Sequence, residues 1–159
     1  MKYKVFFSHS VRDKDWVNWI TRNLTGPDMQ IWLSEYDIQP GEYITTKVEQ
    51  NISDCDCFVV LLTKNSQQSV FVQNEIGCAQ ALKKPIVPLA ESGIDKSRLG
   101  MLTGREYITF RKHQPYEALR EVSNFLYRDK SIKERGQNIV IGGFLGLLFA
   151  ALVLGDEED

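Results

Sequence analysis

Along this chain, short continuous apolar runs alternate with segments whose apolar residues recur every three or four positions. Residues 3–8, YKVFFS, form the first run and read as a strand. Residues 13–25 then carry Val17, Ile20 and Leu24 at helical spacing, with Ser10 and Asp13 as an expected N-cap pair. Gly26-Pro27 stops that helix, and 29–33 gives the second strand. Residues 42–52 place Ile44, Val48 and Ile52 on one helical stripe. The run 57–63 is apolar throughout and rich in β-branched residues, as a central strand buried on both faces requires. A helix over 69–82 follows, with Val72, Ile76, Ala79 and Leu82 as its stripe. Residues 85–89 and 106–110 predict a fourth and a weaker fifth strand. A closing helix over 115–127 carries Leu119, Val122 and Leu126.

Repeated β-then-α units of this length predict an α/β fold: a doubly wound, five-stranded parallel sheet with helices on both faces. In such sheets ligands sit outside the carboxyl ends of the strands. Two pieces fall there: the polar loop inside WLSEYDIQPGEYI and the helix start SVFVQNE, which ends on Glu75. No Gly-x-Gly-x-x-Gly follows the first strand and no Gly-Lys-Ser/Thr loop is present, which excludes the dinucleotide and P-loop fingerprints. Without a phosphate-cradling Ser/Thr/Gly loop at that position, a flavodoxin-type electron carrier is disfavoured too.

The pattern changes near the end. Residues 139–155, IVIGGFLGLLFAALVLG, run 17 residues without a charge. As a helix they reach about 26 Å, near the lower limit for crossing a bilayer. The run is apolar on every side, which favours a membrane over a helix buried against a partner. Arg128, Lys130, Lys133 and Arg135 precede it and Asp156-Glu157-Glu158-Asp159 follow, a bias that holds the main domain in the cytoplasm. The expected organisation is a domain over 1–128, a basic linker over 129–138, a single-pass transmembrane tail anchor over 139–155 and an acidic tail over 156–159. Gly142, Gly146 and Ala150 form a small-residue seam through which two such helices pack.

Charge and cysteines narrow the class. The chain has 159 residues and a net charge of −2, and no dense basic patch marks nucleic acid as a partner. Four of the 21 acids are the last four residues, leaving 19 bases against 17 acids upstream. Cys55, Cys57 and Cys78 make no secreted-type disulfide framework, and no His or further Cys beside the first two completes a metal site. Buried strand thiols in a reducing compartment are the simpler account.

Four blocks together carry a family resemblance: KVFFSHS, WLSEYDIQPGEYI, SDCDCFVVLLTKNSQQSVFVQNEIGCA and KKPIVPL. From about Lys4 to Leu126 the chain resembles a Toll/interleukin-1 receptor (TIR) domain, in the style of prokaryotic single-domain members. The resemblance implies a flavodoxin-like fold and one of two functions. Some TIR domains are scaffolds that assemble through the loop after the second strand. Others cleave NAD at the nicotinamide–ribose bond, giving ADP-ribose or a cyclised product, and require a glutamate in a Ser-x-Trp-x-x-x-Glu-like helix start. That motif here is Ser69-Val70-Phe71-Val72-Gln73-Asn74-Glu75, which makes Glu75 the expected catalytic residue.

One carboxylate suffices for that reaction. A glycosidase ordinarily needs a second to protonate the departing oxygen. Nicotinamide in NAD is already cationic and leaves neutral, so the protein has only to hold the ribose and stabilise its developing positive charge. The resemblance places Phe7, Ser8, His9, Ser10, Arg12, Ser34, Asp37, Ser69 and Phe71 in the substrate-binding set. Phe71 packs a ring face and Arg12 pairs with a phosphate. Asp37, Ile38, Pro40 and Gly41 form the expected assembly loop, in which Pro40 fixes φ and Gly41 permits unusual dihedrals. NAD enters as substrate, with no cofactor and no metal implied. Three departures stand out: Ser34 where an acidic residue often follows the second strand, Phe71 for the frequent tryptophan, and no Phe-Trp third box.

Each assignment has a plainer alternative. A glutamate early in a helix is often a solvated residue complementing the dipole. Ser69 and Ser10 serve as N-caps, Arg12 as a surface charge, and Asp37 to Gly41 as a structural turn. Two functions therefore stand at this stage. One is a membrane-tethered NAD glycohydrolase or cyclase, switched on by self-association, in immune or antiphage defence signalling. The other is a membrane-tethered adaptor without enzymatic activity.

Overall fold

The computed structural model describes residues 2–24, 26, 28–34 and 44–154, with side chains given for these except at 44, 45 and 138–154. Five strands, β1 (Tyr3–Ser8), β2 (Met29–Leu33), β3 (Cys57–Leu62), β4 (Ile86–Glu91) and β5 (Ile108–Phe110), form one sheet in the order β2-β1-β3-β4-β5. Every pairing is parallel, with Val5 opposite both Ile31 and Cys57, and Phe58 opposite Ile86. Among the described residues, five α-helices accompany the strands: α1 (Lys14–Leu24), α2 (Ile44–Asp54), α3 (Lys64–Gln67), α4 (Val70–Ala81) and α5 (Pro115–Leu154). The chain divides into two compact units, Met1–Ser123 and Asn124–Asp159. The sheet and α1–α4 all belong to the first.

Strand order dictates where the helices go. The β1-to-β2 connection runs one way along the sheet, while β2-to-β3, β3-to-β4 and β4-to-β5 run the other. Right-handed crossovers then place α1 on one face and α2 with α4 on the opposite one. Side chains alternate accordingly. Phe6, Phe58, Val60, Leu62, Ile86 and Ala90 meet Ile52 of α2 and Val72, Ile76 and Ala79 of α4 in a single buried cluster. The Phe6 and Phe58 rings stack within it, with centroids 5.6 Å apart. Val5, Phe7, Val59, Leu61, Val87 and Leu89 point to the other face, towards the side where α1 buries Val17, Ile20 and Leu24. There Trp16 meets Phe110 and Trp19 meets Tyr116 edge to face.

Several expectations are corrected. Thr63 does not continue β3 but caps α3, a one-turn helix that apolar periodicity does not reveal. Leu82, expected on the buried stripe of α4, is exposed. The start of the last helix buries Ala118 and Val122, with Leu119 only half-buried. That helix also runs on well past residue 127, to Leu154. The assembly loop Asp37, Ile38, Pro40 and Gly41 lies outside the described residues. Of Gly142, Gly146, Ala150 and the rest of the expected 139–155 span, only the backbone as far as Leu154 is described. Among the described residues, no helix is long and apolar enough to cross a membrane.

Candidate active site

Connections leave β1 and β3 in opposite directions, so a crevice opens between their carboxyl ends, where this class of sheet binds ligands. A cleft of about 530 Å³ lies there, lined by Ser10, Val11 and Arg12 after β1 and by Asn65, Gln68, Ser69 and Phe71 after β3. Ser69 is the N-cap of α4, and its Oγ accepts from the Val72 N–H at 3.4 Å. Phe71, in the first turn of that helix, is 48% exposed, unusually open for a phenylalanine. Four expected site residues, Ser10, Arg12, Ser69 and Phe71, therefore share one cavity. Val11, Asn65 and Gln68 join them without having been anticipated; their place just beyond two strand ends was the only signal.

A second group lies buried close to the same strand ends. Among the described residues, nearly every buried polar side chain gathers on this edge: Ser8, His9, Ser10, Asp13, Ser34, Thr63, Ser66 and Glu75. Ser8, the last residue of β1, donates its hydroxyl proton to Glu75 Oε2. Glu75 is only 3% exposed and does not line the cleft. It occupies the buried stripe of α4 with Val72, Ile76 and Ala79, one turn beyond Phe71. A carboxylate so withdrawn from water requires hydrogen-bond donors, and Ser8 supplies one. Burial also pushes the Cys78 thiol up, with the carboxylates of Glu49 and Glu75 adding to the effect.

His9 and Ser34 pair across the ends of β1 and β2. The His9 backbone N–H donates to Ser34 Oγ at 3.3 Å, and His9 Nδ1 lies 3.4 Å from the same oxygen. Ser34 thus steadies the β1–α1 turn from within and is not a cleft residue. Phe7 is fully buried in the sheet; its carbonyl accepts the Ser34 N–H at 3.2 Å, while its ring stays out of the cleft. The remaining expected residue, Asp37, lies outside the described residues. No cluster of three or more His, Cys, Asp or Glu suited to a metal occurs among the described residues.

Asp13 was expected to complete a capping pair with Ser10, and it does something else. Ser10 caps a single 3-10 turn, Val11–Asp13, by accepting from the Arg12 N–H. The Asp13 carboxylate reaches across to the β3 side instead, accepting from Thr63 Oγ1 at 2.6 Å and from Asn65 Nδ2 at 2.8 Å.

Comparison with known proteins agrees with this architecture. The family model described as TIR domain matches residues 5–123, and the chain belongs to that family. Among solved structures, the TIR domain of the Toll-related receptor TRR-2 from Hydra magnipapillata superposes with a TM-score of 0.59 at 14% identity, over 84% of this chain and 99% of that one. A CMP N-glycosidase, BcmB, from Clostridium botulinum gives 0.54 at 20% identity, over 75% and 97%. The TIR domains of the activated Roq1 resistosome give 0.51 at 16%, over 87% and 78%. At these identities the likeness is one of fold. Among curated proteins, none matches the sequence.

Proposed function

We propose that this chain is a TIR-domain glycohydrolase that cleaves the nicotinamide–ribose bond of NAD and is switched on by self-association. The observation that carries the reading is the Glu75 carboxylate, held by Ser8 at the β1/β3 switch point, one turn behind the exposed ring of Phe71. In this reading NAD occupies the cleft, with Phe71 against a ring face and Arg12 near the diphosphate. The N-glycosidic bond breaks with its electron pair leaving on nicotinamide, which departs neutral. Glu75 stabilises the ribosyl cation by charge. Water then bonds to the anomeric carbon and releases a proton, giving ADP-ribose; attack by the adenine ring gives a cyclic product instead. Reaction on an N-glycosidic bond is in keeping with the CMP N-glycosidase that shares the fold.

The seclusion of Glu75 in the single chain fits a switched enzyme. Packing against a second copy moves the β1 and α4 ends enough to admit a ribose; TIR domains within an activated resistosome are in keeping with such assembly. The apolar stretch 139–155 tethers the chain as a tail anchor with the TIR domain cytoplasmic, in the manner of prokaryotic single-domain members. Concentration at the membrane then promotes weak self-pairing, reinforced by Gly142, Gly146 and Ala150. Defence signalling, including response to phage, is the setting this design suits.

One observation favours a second reading, an adaptor without enzymatic activity: Glu75 does not line the cleft. To decide, the full chain is reconstituted in lipid nanodiscs at rising surface density and nicotinamide release from NAD is compared with Glu75→Gln. Density-dependent release by the wild type and loss in the variant support the enzyme. Equal release removes Glu75 from the mechanism, and no release at any density leaves the adaptor.

A further inference from the structure

The cleft has two walls that come from distant parts of the chain. One is the 3-10 turn Val11–Asp13 with Ser10; the other is α3 and the start of α4, from Asn65 to Phe71. Asp13 joins them. Asp13 is 4% exposed and not among the lining residues; one carboxylate oxygen accepts from Thr63, the N-cap of α3, and the other from Asn65 of the far wall.

The consequence for Thr63 is specific. Its hydroxyl has one proton, donated to Asp13 Oδ2. The oxygen therefore turns its lone pairs to the backbone, where it accepts from the N–H groups of Asn65 and Ser66, both at 3.1 Å. Ser66 closes a reciprocal box by accepting from the Thr63 N–H at 2.6 Å. A four-residue helix has little stability of its own. Asp13 fixes the rotor that caps it, and through Asn65 Nδ2 it fixes a side chain of the cleft wall as well. On its own side, Asp13 closes the 3-10 turn through its N–H, which donates to the Ser10 carbonyl at 2.8 Å.

We infer that Asp13 is a positioning residue that latches the two cleft walls together and so sets substrate affinity without touching substrate. The inference rests on the glycohydrolase reading for its kinetic consequence, and on the hydrogen bonds alone for its structural one.

The test uses the full chain with Asp13→Ala and Asp13→Asn. Alanine removes both acceptors. Asparagine retains one acceptor for Thr63, and its NH₂ can donate to the Asn65 amide oxygen once that amide turns over. Amide hydrogen exchange at Asn65 and Ser66 rises in Asp13→Ala while the β3 amides stay protected, and returns towards wild type in Asp13→Asn. With NAD, KM rises on the order of tenfold in Asp13→Ala with kcat little changed, and Asp13→Asn restores most of it. Thr63→Val, which deletes the hydroxyl at nearly constant shape, gives the same pair of changes and decides the matter should Asp13→Ala not fold. Unchanged exchange at Asn65 and Ser66 overturns the latch. Raised exchange with unchanged KM reduces Asp13 to a structural role. A wild type that releases no nicotinamide overturns the glycohydrolase reading instead, and leaves the exchange measurement to judge the latch.

Discussion

Ser8 and Glu75, 67 residues apart in sequence, meet through a single hydrogen bond that ties the end of β1 to the second turn of α4. Both are buried, so the bond fixes where the carboxylate points and offsets the cost of withdrawing it from water. Ser8→Ala removes that donor at almost no change in volume. Stability falls by about 1.5–3 kcal/mol, the usual contribution of a hydrogen bond to a charged group. In the glycohydrolase reading, kcat falls on the order of a hundredfold as the carboxylate loses its aim. Urea midpoints and nicotinamide release at saturating NAD measure the two effects separately.

Phe71 gives the opposite balance. Its ring is half exposed on the cleft wall, so Phe71→Ala leaves the melting temperature within a degree or two of wild type, as for a surface substitution. Losing a stacking face for a flat ring costs binding about 1–3 kcal/mol, which appears as a higher KM. Phe71→Trp keeps the face and retains affinity. Parallel thermal melts and substrate titrations distinguish this from a general loss of structure.

The Cys78 thiol reports on its neighbour. Burial is the main cause that lifts its pKa above the ordinary value of 9.0, followed by the negative charges of Glu49 and then Glu75. Since the thiolate is the reactive form, alkylation of Cys78 at pH 8 runs slower than for a free thiol. Glu75→Gln removes the smallest of the effects opposing ionisation, so the rate rises while staying below that of a free thiol. The same substitution leaves the fully buried Cys57 unlabelled. Iodoacetamide labelling followed by peptide mass analysis resolves the three cysteines individually.

Within the sheet, Phe58 stacks on Phe6 at an interplanar angle of 7°, and both are essentially inaccessible. Truncating Phe58 to alanine deletes a ring from the centre of the cluster that also supports α4. The expected loss is about 3–5 kcal/mol. Thermal unfolding followed by circular dichroism shows it, and a loss below about 1 kcal/mol contradicts the packing described.

Much of this arrangement could be read from the residues. Tyr3–Ser8 and Met29–Leu33 appear with the bounds their apolar runs predict, and Pro115 opens the last helix as expected. The run after Asp56 is buried at every position, as a strand with helices on both sides requires. Three things were hidden for physical reasons. The turn Lys64–Gln67 is too short for periodicity, and its only sign is the reciprocal capping of Thr63 and Ser66. The burial of Glu75 was encoded but masked by chemistry. Positions 72, 75, 76 and 79 share one helical face, yet a carboxylate there reads as a solvated residue until its partner Ser8 is seen. Asp13 misled in the same way: its spacing from Ser10 suggests a local cap, whereas its true partners lie 50 and 52 residues away. Sequence separation of that size is invisible to any local pattern.

The outermost strands of the sheet are β2 and β5, five and three residues long. At the β5 edge so little unpaired backbone offers a poor template for another strand to zip onto. Growth of the sheet from one molecule into the next is thereby discouraged there. An array growing past the β5 edge would have to rely on contacts other than strand addition, which can form and dissolve as the number of copies changes without drifting into fibril-like stacking.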